Sequence, residues 1–173
     1  MASILTLTCG ISGSGKSKFA SFIRGALNAR ELNADNIRKE LGDVSDQSRN
    51  EEVFRRLDAQ INMYLAGGYN VIVSNTNLRF GSIVDYCNKY PFNEVHLCIL
   101  KDSEYPELCK ERVHNDISSG KNRSNVPDEV IDKQHTQFKE LMNILKEREL
   151  PNNLTVFEIN TTFCIRKLPK KIS

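Results

Sequence analysis

The chain has no large excess of charge of either sign: its 173 residues carry 24 basic and 22 acidic side chains, a net charge of +2. A protein that coats duplex nucleic acid through its phosphates needs a larger cationic surplus, so any basic surface here must be local. That suits the grip of a short stretch or an end, and equally a small-molecule substrate. No CxxC pair occurs, and the five cysteines (Cys9, Cys87, Cys98, Cys109, Cys164) are odd in number. Cys9 and Cys98 lie inside apolar runs, and the set reads as reduced core thiols of a cytosolic protein. His96, His114 and His135 do not group at metal-ligand spacing, so no zinc site is indicated. No apolar run reaches the length of a membrane span, and Met1–Leu7 lacks the basic and long apolar regions of a signal peptide. The expectation is a cytoplasmic protein with no membrane partner.

What is present is ordinary for a globular chain, with 39% hydrophobic and 27% charged residues. One domain over residues 1–173 is expected, with enough sequence to bury a core. Strands are predicted at Ile4–Cys9, Ala29–Asn33, Tyr69–Ser74 and Glu94–Leu100, with Leu154–Ile159 as the last. Helices are predicted at Lys16–Leu27, Asp35–Leu41, Leu78–Tyr90 and Pro106–Ile117. A long one follows Ser48 as N-cap and stops at Gly67-Gly68, and another runs from Pro127 to about Arg148. The consecutive Val71, Ile72 and Val73 mark a central strand covered on both faces. Strands alternating with helices imply a doubly wound α/β fold with a mainly parallel sheet. The basic end, about 165–173 with Arg166, Lys167, Lys170 and Lys171, is expected as a tail.

Gly10-Ile11-Ser12-Gly13-Ser14-Gly15-Lys16-Ser17 matches GxxxxGK[ST] in full, between a predicted strand and a predicted helix. Glycines let the backbone turn its N–H groups toward phosphate oxygens, and the helix start adds its positive dipole end. In such loops the lysine, here Lys16, reaches the β- and γ-phosphates of ATP, and the hydroxyl of Ser17 ligates Mg²⁺. No Asn-Lys-x-Asp is present to read guanine, which argues against a GTPase. A large motor or AAA⁺ ATPase would need more chain and a carboxylate pair after a central strand, whereas this strand ends Val73-Ser74-Asn75. A short chain with a flexible basic segment that closes over the phosphates fits a P-loop kinase with a helical lid.

Asn33-Ala34-Asp35-Asn36-Ile37-Arg38 follows the second strand, whose carboxyl end faces the crevice of an open parallel sheet. Asp35 and Arg38, three apart, share one face of a short helix. A carboxylate that accepts a hydroxyl proton and a cation that holds the acceptor's own phosphate are what a kinase for a phosphorylated acceptor requires. The competing readings are an N-cap for Asp35 and a solvated surface residue for Arg38.

With these residues the chain resembles the 5′-kinase domain of the phage polynucleotide kinases, within a wider group of small P-loop kinases that includes zeta-toxin-like enzymes. The resemblance runs over roughly residues 3–145. It rests on Gly10–Ser17, on Asn33-x-Asp35-x-x-Arg38, on Val71–Leu78 after the central strand, and on Asn122-Arg123 through Val126-Pro127. It implies transfer of the γ-phosphate of ATP, with Mg²⁺, to the 5′-hydroxyl end of RNA or DNA, in nucleic-acid end repair. Asp35 would be the general base, and Arg38 would grip the phosphate on the 3′ side of the acceptor nucleotide. Thr76, flanked by Asn75 and Asn77, would line the acceptor channel. A lid arginine from about 112–127, Arg123 ahead of Arg112, would cover the transferred group. Three departures stand out: Asn75 replaces the Asp that relatives commonly carry, Asn115 and Asp116 stand where a second lid Arg is expected, and no 3′-phosphatase domain fits in this length. The alternatives are a kinase for a nucleoside, nucleotide or other small metabolite, and a nucleotide-binding scaffold without catalysis.

Among weaker features, Asp102 follows a strand and reads as a loop solubiliser, with a place at the crevice mouth as the alternative; Tyr64 and Tyr86 read as core residues, while Phe80 is open between core and base stacking. Arg55-Arg56 reads as a solvated face.

Overall fold

A computed structural model describes residues 3–44, 48–121 and 125–170. Strand β1 (Ile4–Cys9) is buried almost throughout. Leu5, Leu7 and Cys9 point into one core cluster, and Thr6 and Thr8, equally buried, alternate to the other face. Strands β2 (Ala29–Leu32), β3 (Asn70–Val73), β4 (Glu94–Leu100) and β5 (Leu154–Ile159) run parallel to it, in the order β2-β3-β1-β4-β5. Register pairs Leu5 with Val71 on one side and with Val95 on the other.

The helices divide between the two faces. The larger core joins Leu5, Leu7, Val71, Val73, Val95 and Leu97 to apolar rows from α3 (Asn50–Ala66), α4 (Phe80–Lys89), α5 (Pro106–Ser118) and α6 (Asp128–Glu147). Val53, Leu57 and Ile61 of α3 recur every fourth residue, which places them on one stripe. The opposite face is packed by α1 (Lys16–Arg24), through Phe19 against Cys98, Leu100 and Ile159 and through Ala20 against Ile72. Fully burying a side chain such as Phe19 contributes about 1.5–3 kcal/mol relative to leaving it exposed. Helices on both faces of a mainly parallel sheet are the doubly wound arrangement that the alternating pattern predicts.

Four local expectations need correction. The sheet has a sixth strand, β6 (Ile165–Lys167), which turns back antiparallel on β5 and pairs Glu158 with Arg166. Its residues are all exposed, so no apolar pattern marked it, and part of the expected tail is therefore strand. Helix α3 starts at Asn50 after Arg49, one turn-residue later than a Ser48 cap would give. Helix α1 stops at Arg24, and Gly25 through Asn28 turn the chain into β2, with Asn28 at φ 47. Cys164 is exposed, unlike Cys9, Cys87, Cys98 and Cys109. Among the described residues, no helix is long and apolar enough to cross a membrane.

Candidate active site

The loop between β1 and α1 is built by close approach. Gly13 (φ 83) and Gly15 (φ 98) take left-handed backbone conformations. A Cβ on Gly13 would lie 2.3 Å from the Cys109 carbonyl oxygen, and one on Gly10 2.5 Å from Ser14 Oγ. The walls come from three further elements. The Ile11 N–H donates to Ser103 Oγ at 3.1 Å, and the Ser12 N–H to Gln134 Oε1 of α6 at 2.8 Å. The Gly10 N–H donates to the Thr76 carbonyl at 3.0 Å, and Lys16 Nζ to the Ile11 carbonyl at 2.8 Å.

These residues fit a chain of phosphates. The start of α1 has no side-chain cap and no acidic residue in its first turn, so its N–H groups and dipole are available to an anion. Ser14 Oγ is buried without a hydrogen-bond partner. Lys16 and the exposed Ser17 border the cleft. Cys9 and Cys109 flank the loop, but burial pushes their thiols up to about 12 and about 11, so neither is a thiolate nucleophile near neutral pH.

On the acceptor side, α2 (Ala34–Leu41) is capped by Asn33, whose Oδ1 accepts from the Asn36 N–H at 2.7 Å. The cap is therefore Asn33, and Asp35 stands free of that task in the first turn, with its side chain 51% exposed. Arg38 is the reverse of a solvated residue. It is buried, donates from Nη1 to Asp35 Oδ1 and from Nη2 to Asn50 Oδ1, both at 2.8 Å, and leaves Nε buried without a partner.

The segment after β3 ties both halves together. Asn75 Oδ1 accepts from the Ala34 N–H at 2.9 Å, and the Asn75 carbonyl accepts from Thr8 Oγ1 at 3.0 Å. A neutral amide oxygen thus does the positioning there. Asn77, at φ 46, donates from Nδ2 to the Thr8 carbonyl at 2.7 Å and to the Val73 carbonyl at 3.2 Å. Its amide nitrogen is committed to backbone. Thr76 is partly buried on the cleft wall.

One cleft of about 1770 Å³ contains Ser12–Ser17, Asp35, Arg38, Asn75–Asn77 and Arg112 together. Arg123 lies outside the described residues. Arg112 of α5 donates from Nη1 to the Gly13 carbonyl at 3.2 Å, and its Nη2 lies 2.8 Å from Asp102 Oδ2. Lys121 also borders the cleft and pairs with Asp116 at 3.1 Å.

For Asp102 the alternative reading holds: it lines the cleft, and the preferred reading as a loop solubiliser fails. It sits in a 3₁₀ turn (Lys101–Glu104) directly after β4 and is buried, not a solvated loop residue. Its other oxygen accepts from Thr161 Oγ1, beyond β5, at 2.7 Å. Ser103, Gln134 and Thr161 were missed. The signal for Asp102 and Ser103 was their place just past a parallel strand, where crevices open. Gln134 and Thr161 carried no local signal. Asp102→Ala should destabilise the protein by about 1–3 kcal/mol, the scale of losing hydrogen bonds to a charged group. Urea unfolding checks this, and a midpoint equal to wild type would show the Arg112 pair to be idle.

Fold and site together define a P-loop nucleotide-binding domain with a kinase-like fold. The chain belongs to the family described as AAA domain, which matches residues 5–141. Asn75 lies two residues beyond the end of β3. No curated protein matches the chain. Among solved structures, a chain of the Pnkp1/Rnl/Hen1 RNA repair complex aligns with a TM-score of 0.73 and 22% identity over 99% of this chain and 50% of that one. This chain thus spans half the length of that relative. A chain of the PezAT toxin–antitoxin system of Streptococcus pneumoniae aligns with a TM-score of 0.64 and 14% identity over 95% of this chain and 70% of its own. A gluconokinase from Sinorhizobium meliloti aligns at 0.51 and 22% identity, over 91% and 82%. At these identities the likeness is one of fold.

Proposed function

We propose that the chain is an ATP-dependent polynucleotide kinase that transfers the γ-phosphate to the 5′-hydroxyl end of RNA or DNA, in nucleic-acid end repair in the cytoplasm. The observation that carries this is the Asp35–Arg38–Asn50 arrangement in the same cleft as the phosphate loop. Asp35, exposed and oriented by Arg38, takes the proton of the attacking hydroxyl. The oxygen then bonds to the γ-phosphorus as the bond to the ADP oxygen breaks, and the proton passes to water. Arg38, a cation on the acceptor side of the cleft, suits a phosphate already carried by the acceptor.

Lys16 and the loop amides hold the β- and γ-phosphates. Ser17 Oγ is the protein group that would hold Mg²⁺, and the ion would supply charge neutralisation at the transferred phosphate. Arg123, within the proposed lid of about 112–127, covers the transferred group, with Arg112 the next candidate. Thr76, between Asn75 and Asn77, borders the acceptor's path. A single domain over 1–173 is part of this reading.

The resemblance in sequence and the fold of the RNA repair complex chain support a polynucleotide acceptor. The gluconokinase likeness favours a second reading, a kinase of small hydroxylated metabolites. Incubation with γ-labelled ATP and either a 5′-hydroxyl oligonucleotide, a set of nucleosides and mononucleotides, or gluconate separates them. Label on the oligonucleotide end is expected. Label on a small acceptor alone, or ATP binding without transfer, overturns the reading.

A further inference from the structure

The acceptor half of the cleft is a trench between two helices. Asn50, Phe54 and Asp58 of α3, each four residues from the next, line one wall. The first of these holds Arg38, and Phe54 stands one turn beyond it. Asp58 closes the row, paired with Lys89 of α4 at 2.6 Å and accepting from Tyr90. Lys89 holds the Asp58 carboxyl below its ordinary range, so the far end stays ionic at neutral pH.

Phe54 is the exception in this polar wall. Its side chain is 49% exposed, whereas Leu57 on the same helix is 2% exposed. The other aromatic residues nearby are engaged with other groups of the protein, among them the cleft-lining Phe163, which packs on Phe19 and Phe22. Tyr86 stacks on Tyr90 at 6.2 Å and is partly buried, and Phe80 packs on the core with the Arg148 guanidinium 5.5 Å above its ring. Phe54 thus offers an exposed apolar ring one helical turn from Asn50, the residue that holds the buried Arg38. Every nucleobase brings a flat π-face to such a ring, where a sugar brings only a C–H face.

We infer that Phe54 is the platform for the base of the acceptor's terminal nucleotide, its ring stacking on that base while Arg38 meets the adjoining phosphate. This rests on the polynucleotide reading above and assigns the acceptor's class at a residue which that reading does not use. Base–aromatic stacking corresponds to roughly tenfold or more in affinity, so Phe54→Ala should raise KM for a 5′-hydroxyl oligonucleotide by that factor. Phe54→Trp should keep KM near wild type.

The test compares wild type, F54A and F54W on an ordinary oligonucleotide and on one whose 5′-terminal nucleotide lacks its base. For wild type, the abasic end should raise KM by the same factor as F54A does. For F54A, removing the base should add no more than about twofold, because the partner ring is already gone. The wild-type comparison does not depend on the variants' folding, and the shift in thermal midpoint on adding ATP confirms that they retain the donor site. Equal KM for F54A and wild type, or an equal penalty for the abasic end in both, overturns the platform and leaves the kinase reading standing. No labelling of any oligonucleotide by wild type overturns that reading and this inference with it.

Discussion

Asp35→Ala is expected to lower kcat for transfer to a 5′-hydroxyl by at least about 10²-fold, the lower end of general-base effects. Three features make this a sharp test. Asp35 is half exposed, so its removal leaves no cavity, and the buried Arg38 keeps Asn50 as a partner. The α2 cap belongs to Asn33, so the helix start is retained in the variant. The proposed ATP site is the loop of residues 10–17 rather than α2, so ATP affinity should be unchanged. Asp35→Asn sharpens the test further, since an amide oxygen can still accept from Arg38 Nη1 but binds a proton far more weakly than a carboxylate. Both variants should bind ATP like wild type, shown by titration, and both should fail in single-turnover transfer. A variant that transfers phosphate at the wild-type rate would remove Asp35 from the chemistry.

Gly13→Ala has the other large expected effect, on the donor side. Two costs combine. The residue's φ of 83 costs a side chain about 1–2 kcal/mol. The added Cβ would also stand 2.3 Å from the Cys109 carbonyl oxygen, and since that atom is backbone, loop or helix must shift. The Gly13 carbonyl accepts from Arg112, so the shift carries that arginine with it. We expect at least about a tenfold rise in the Kd for ATP and a lower Tm. Gly15→Ala is the matched control. Its φ of 98 imposes a similar conformational cost, but nothing lies within 4 Å of the added Cβ. It should lose stability while disturbing Arg112 little. Equal losses in the two variants would show that backbone conformation alone, not the contact with α5, governs the loop.

The fold was legible where periodicity was strong and flanked by clear stops. β1, β3 and β4 are apolar runs, and α3 repeats its apolar residues every four positions until Gly67 ends it. β6 was not legible, because an all-exposed three-residue strand takes its place from pairing with β5 rather than from its own composition. The phosphate loop was legible because spacing alone defines it. The burial of Arg38 was not, since it depends on Asn50, twelve residues away across a loop. Asp102 shows the same limit more strongly. Its partners Arg112 and Thr161 come from a helix and from the turn after β5, and no local window contains all three. The replacement of a common Asp by Asn75 looked like a loss in sequence. In the structure its amide oxygen holds the first residue of α2, which sets where Asp35 stands.

The unequal clothing of the sheet has a dynamic consequence. Several helices insulate one side, whereas among the described residues α1 is the helix that covers the other, and its Phe22 remains 62% exposed. Lys16 and Ser17 therefore belong to the lightly insulated layer, where opening from the sheet requires the least apolar surface to be given up. A triphosphate seated in the preceding turn would pin that layer from its end, so occupancy should harden α1 more than the multi-helix side, and any phosphate transfer would depend on the rigidity of this one helix.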